Sequence, residues 1–82
     1  MPLHLYANIH ASGSIPSGWM AARGRAVKYP VRNLAVLQEL RRLRVGRWQK
    51  VIKEGNLGEA HYFEHQSAAV AGVKFLPERE LP

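Results

Sequence analysis

Apolar residues alternate with polar ones near the start of the chain and recur at helical spacing in its middle. Leu3, Leu5, Ala7 and Ile9 are separated by His4, Tyr6 and Asn8. A period of two with one apolar side predicts a half-buried strand over 3–9. The stretch HASGSIPSG (10–18) is rich in Ser, Gly and Pro and predicts a loop. Ser17 is suited to cap a short helix through 19–23, which Gly24 would stop. Leu34, Leu37, Leu40 and Leu43, with Val36 beside them, predict an amphipathic helix over 34–45. Asn33 is its expected N-cap, Pro30 marks the upstream boundary, and Gly46 stands where a left-handed glycine ends helices. Arg41, Arg42 and Arg44 lie in the last turns, where cations favour the negative end of the helix dipole.

Beyond the helix the spacing shortens again. RWQKVIKEG (47–55) interleaves Trp, Val and Ile with Lys and Gln and predicts a strand, followed by a turn at Gly55–Asn56. GVKFLP (72–77) predicts another strand, ended by Pro77. The segment between them is ambiguous. On a helix, Ala60, Phe63 and Val70 would share a face with the small Ser67 between them, and Gly72 would close it. On a strand, AHYFEH places aromatic residues at its centre. The strand reading is preferred, because Gly55 and Gly58 flank a short link and the remainder then forms an antiparallel meander. The tail, ERELP, is expected to fray. The fold class is therefore α+β: an N-terminal strand, one or two helices and a small antiparallel sheet, in one small basic domain.

Size and charge narrow the function classes. A chain of 82 residues buries only about 60–65% of its unfolded surface, so its core is thin. It has no cysteine, so no disulfide or thiolate zinc knuckle can staple it. No apolar run approaches the roughly 18 residues of a membrane helix, and the start, MPLHLYANIH, lacks the pattern of a signal peptide. A cytoplasmic protein with no membrane partner is the expectation. Charge is uneven: residues 1–53 hold ten of the twelve Lys and Arg and one acid, Glu39. Such a block favours a polyanionic partner, foremost nucleic acid with RNA preferred, otherwise an acidic protein. A basic surface that serves solubility alone is the plain alternative.

HYFEH (61–65) matches the H-x-x-E-H pattern of one zinc peptidase class. Those enzymes need a third ligand far downstream, and 17 residues remain here, so no metal and no cofactor is assigned. Walker, G-x-G-x-x-G and G-x-S-x-G patterns are missing. Metal-free RNA cleavage asks for less: a base, an acid and a cation beside the phosphate. His61 and His65 are the candidate base and acid, with Glu64 and Lys53 near them in sequence. A strand would put His61, Phe63 and His65 on one face and Tyr62 and Glu64 on the other. Arg41, Arg42, Arg44, Arg47 and Lys50 are candidate nucleic-acid contacts, and Arg23 and Arg25 could reach a backbone. Trp48 and Phe75 are expected in the core, Tyr6 and Tyr62 exposed for stacking.

The run RWQKVIKEGN…AHYFEH…VAGVKF resembles the C-terminal sheet of small bacterial toxin ribonucleases of the barnase/RelE-like kind. It is also similar to HicA-type mRNA-cleaving toxins, where a helix precedes a strand, a glycine turn and a histidine-bearing strand. The likeness covers 34–76. It implies a metal-independent endoribonuclease and a small acidic antitoxin as partner. In the HicA-type toxins a Gly-Ser/Thr-His turn carries the catalytic histidine; here the turn reads GNLGEAH and brings His61. Two further readings stand beside it: a non-catalytic nucleic-acid-binding module, and an accessory protein of mobile DNA that docks on an acidic partner. An exposed sheet edge would also admit a homodimer.

Overall fold

The computed structural model describes residues 3–80, apart from the side chains of Arg25 and Glu80. Its elements are β1 (Leu5–Tyr6), β2 (Ala21–Pro30), α1 (Leu34–Leu43), β3 (Trp48–Gly55), β4 (Gly58–His65) and β5 (Val70–Pro77). The strands form one five-stranded antiparallel sheet in the order β1-β5-β4-β3-β2. The class is α+β as expected, but strand dominates and the sheet is larger than the sequence implied.

The ambiguous segment is a strand. Gly55 pairs with Gly58 across the Asn56–Leu57 turn, and every residue of β4 faces a partner on β3. The helix expected at 19–23 is absent: Ala21 already belongs to β2. Its apolar-small pattern AARGRAV suits either state, and sheet pairing with β3 decides it. Gly24 does not stop a helix; its φ of +65° lies in a stretch where the register slips between Ala21 and Ala26. The strand expected over 3–9 shrinks to two paired residues, because the chain turns away into a 3₁₀ turn at His10–Ser12.

Alternation along the strands builds two small cores, one on each side of the sheet. On one side α1 packs Leu40 against Trp48 and Ala71, with Leu3, Leu5, Leu37, Leu43 and Phe63 at the margin. On the other, the 7–20 segment lays Ile9 and Trp19 against Val51, Ala60, Tyr62 and Val70. Trp19 donates its indole N–H to the Gly58 carbonyl at 2.9 Å. Asn56 fastens the same segment by accepting from the Met20 N–H at 2.7 Å and donating to the Gly18 carbonyl at 3.0 Å. A tryptophan inside a Gly/Ser/Pro loop is thus the clasp that turns the loop into a lid on the sheet.

The helix is capped as its sequence predicts. Asn33 Oδ1 accepts from the Ala35 and Val36 N–H groups at 3.0 and 3.2 Å. It ends one residue before Arg44, whose backbone is extended. Gly46 is required for a different reason than helix termination. Its φ is +133°, and a Cβ there would lie 2.6 Å from His65 Nε2. Leu34, expected in the core stripe, is exposed at the first turn. At one sheet edge β1 covers only Val70 and Ala71 of β5, and at the other β2 carries the register slip, Lys28 and Pro30. Residues 81–82 of the tail lie outside the described residues.

Candidate nucleic-acid groove

The strand assignment divides the sequence-predicted residues between the two sides of the sheet. Trp48, Lys50 and Ile52 alternate onto the α1 side, opposite His65, Phe63 and His61 respectively. Val51 and Lys53 face the other way with Tyr62, Ala60 and Glu64. Lys53 is a ladder neighbour of Ala60, as the strand reading requires, yet it stands on the opposite side from both histidines. The four residues expected to act together, His61, His65, Glu64 and Lys53, therefore separate into two pairs.

His65 is 6% exposed and both ring nitrogens are engaged. The Ser67 N–H donates to Nδ1 at 3.0 Å, so Nε2 carries the proton and donates to the Val45 carbonyl at 2.8 Å. The Ser67 hydroxyl also lies 2.8 Å from Nδ1, and Arg44 donates to that hydroxyl at 2.9 Å. Trp48 stands edge-on to the imidazole at 5.1 Å between centroids. This geometry locks the link after α1 to the β4–β5 turn. His61 is half-buried on the α1 side and its Nε2 lies 3.0 Å from a Glu59 carboxylate oxygen. Among the described residues no three His, Cys, Asp or Glu side chains gather as a metal site.

Two adjoining hollows collect four of the cations. The first, about 730 Å³, opens at the end of the sheet between α1, the start of β3 and the β4–β5 turn; Lys28, Arg41, Arg47, Gln49, Glu64 and Gln66 line it. The second, about 560 Å³, lies under the 7–20 segment and is lined by His10, Trp19, Lys53, Tyr62, Glu64 and Val70. Glu64 and Ala68 border both, so the two adjoin there as a two-part groove. Among the described residues lining it, Glu64 is the one carboxylate, against Lys28, Arg41, Arg47 and Lys53. That carboxylate is already paired with Lys28 at 3.1 Å. Arg41, Arg47 and Lys53 make no ion pair among the described residues.

The other predicted contacts fall outside the groove. Arg42 pairs with Glu39 at 3.0 Å on the exposed side of α1. Arg44 is tied to Ser67, and Lys50 is exposed on the α1 side of the sheet. The Arg25 side chain lies outside the described residues. Tyr62, expected to be exposed, is 4% exposed because its strand position faces the Ile9–Trp19 cover. Burial, and then the Glu64 carboxylate, push its phenol above the ordinary value, so it stays a neutral hydrogen-bond donor. Tyr29 on β2 is instead an exposed tyrosine.

His10, Lys28 and Tyr62 join the groove without a local signal in the sequence. His10 arrives through the long-range clasp at Trp19, whose ring is 6.1 Å from its own. Lys28 arrives through the pairing of β2 with β3. No family model, no curated protein and no solved structure matches this chain. No helix of the described residues is long and apolar enough to cross a membrane.

Proposed function

We propose that this chain is a small cytoplasmic RNA-binding protein that holds a single strand along the groove bordered by Glu64. The observation that carries the reading is the excess of cations there. Lys28, Arg41, Arg47 and Lys53 line the groove against one carboxylate, which Lys28 already occupies. Phosphates would replace the missing counter-charges, with release of bound salt ions. Arginine adds planar, bidentate recognition of phosphate oxygens. A concave groove of short reach fits an unstacked strand better than a duplex.

The test is fluorescence anisotropy with a labelled single-stranded RNA oligonucleotide over a series of salt concentrations. Affinity falls steeply with salt in the wild type. Arg41→Ala and Arg47→Ala each weaken binding and reduce the logarithmic salt slope by about 0.7, the value of one lost phosphate contact on a single strand. Lys50→Ala, outside the groove, leaves the slope unchanged. Undetectable or salt-independent binding rejects the reading, and an acidic protein partner then becomes the explanation of the same cations.

A further inference from the structure

We infer that two copies of this chain pair edge to edge through the outer side of β5, centred on Phe75, as a closed two-fold dimer. β1 pairs with Val70 and Ala71 alone, so among the described residues no strand lies beside Val73–Pro77 on that side. The backbone direction of this stretch is fixed at both ends of β4. At one end the His65 N–H donates to the Ala69 carbonyl and the His65 carbonyl accepts from the Ala68 N–H. At the other the Leu57 carbonyl accepts from the Glu78 N–H. Alternate residues carry the bonds between antiparallel strands. Glu59 and His61 therefore direct their backbone groups to β5, and Leu76 and Lys74, which face them, direct theirs to β4. Phe75, between those two, presents both its N–H and its C=O to the open side. Pro77 has no N–H and stands at a position where the β4 ladder asks for none.

A second copy is the strand that fits this edge. The opposite edge of the sheet carries the register slip, Lys28 and Pro30, so β5 finds its complement in another β5. Pairing of like with like is isologous and closes at two copies. Register follows from charge. Lys74 is the one charged residue of β5, and a two-fold axis at Lys74 would set it directly against its own counterpart. An axis at Phe75 removes that clash. Each Phe75 then exchanges N–H and C=O with Phe75 of the second copy, and each Lys74 lies across from Leu76. The Phe75 side chains, half-buried at the margin of the core under the 7–20 segment, cover each other, and the Lys74 stem lies along Leu76. Among the described residues, Val70 is the one member of β5 that lines the groove, so both grooves stay open in the dimer. The contact is short, so association is weak and depends on concentration.

Sedimentation equilibrium of the full chain over a range of concentrations, without nucleic acid, is the test. The fitted mass rises from that of one chain to that of two and stops there. Hydrogen exchange locates the contact: the Phe75 amide exchanges slowly in the concentrated sample and quickly in the dilute one, while the Lys74 and Leu76 amides are protected in both. Register is read by cross-linking, because the chain has no cysteine of its own. Directly opposed residues of a non-hydrogen-bonded pair lie within disulfide reach. The double variant Lys74→Cys, Leu76→Cys therefore oxidises to a covalent dimer, and Lys74→Cys alone stays largely uncrosslinked. A chain that sediments as a monomer at every concentration overturns the inference, and growth past two copies overturns the closed pairing. Fast exchange at Phe75 in the concentrated sample, or no cross-link in the double variant, overturns the assignment to β5. None of these readouts involves RNA, so the dimer and the RNA-binding reading stand or fall separately.

Discussion

Individual side chains show how little spare material this fold has. Among the described residues, Leu40 and Val51 are the large side chains buried completely. His65 adds the polar counterpart: a buried imidazole that satisfies Val45 and Ser67 and packs on Trp48. Its replacement by Ala leaves two backbone groups without their partner and a hole beside the indole. A loss of about 2–4 kcal/mol is expected in urea unfolding, a large share of a small domain's stability. Leu34→Ala, at an exposed site of the same helix, serves as the contrast and changes stability by less than about 0.5 kcal/mol. Tyr62 makes a prediction in pH. Its folded value is raised by burial and by Glu64, so the native state holds its proton more tightly than the unfolded chain. The stability this contributes is fully present below the unfolded value of 10.0 and is lost as pH rises through the higher folded value. Thermal unfolding followed upward from about pH 9 should therefore show a decline that Tyr62→Phe reduces.

At the scale of elements, local signals succeeded where one stretch of chain determines its own structure. Asn33 followed by a leucine stripe is such a signal, and the observed cap uses the two N–H groups it should. Asn33→Ala removes both bonds, costing about 1 kcal/mol, and should lower the melting temperature by roughly 4–8 °C. The Gly55–Gly58 link and the apolar character of 47–55 likewise gave the meander. Signals failed where a distant partner decides. AARGRAV has no strong preference, and β2 forms because β3 offers it a ladder. Tyr62 and Phe63 take opposite faces as a strand requires, but Tyr62, expected exposed, is covered because the 7–20 segment lays Trp19 on its side of the sheet while α1 covers the other. Strand register separates Lys53 from His61, although the two strands are adjacent. No local pattern announces that His10 lines the same hollow as Lys53 and Glu64, because that placement depends on the tertiary clasp at Trp19 and Asn56. The candidate site was thus legible in its residue types and its basic charge, and not in its grouping.

For the whole molecule, the net charge of +6 matters less than where the cations stand. Surface charges spread evenly in both signs stabilise or destabilise little. Here Lys28, Arg41, Arg47 and Lys53 line one groove with a single carboxylate among them. Mutual repulsion across such a groove destabilises the folded chain, and the cost depends on screening. The Debye length falls from about 30 Å at 0.01 M salt to about 8 Å at 0.15 M, so the repulsion is strong in the first case and largely screened in the second. The melting temperature should therefore rise with sodium chloride over that range. Arg41→Gln and Arg47→Gln, which keep much of the side chain and remove the charge, should be more stable than wild type at low salt by some tenths of a kcal/mol. That advantage should vanish at 0.15 M, while RNA binding stays weaker at both. A stability gain coupled to a loss of binding is the signature of charges held together for a ligand rather than for the fold. If the residues were only a solvated helix end, the two substitutions would leave the salt dependence of melting unchanged. Differential scanning calorimetry of the three proteins at two salt concentrations separates these outcomes.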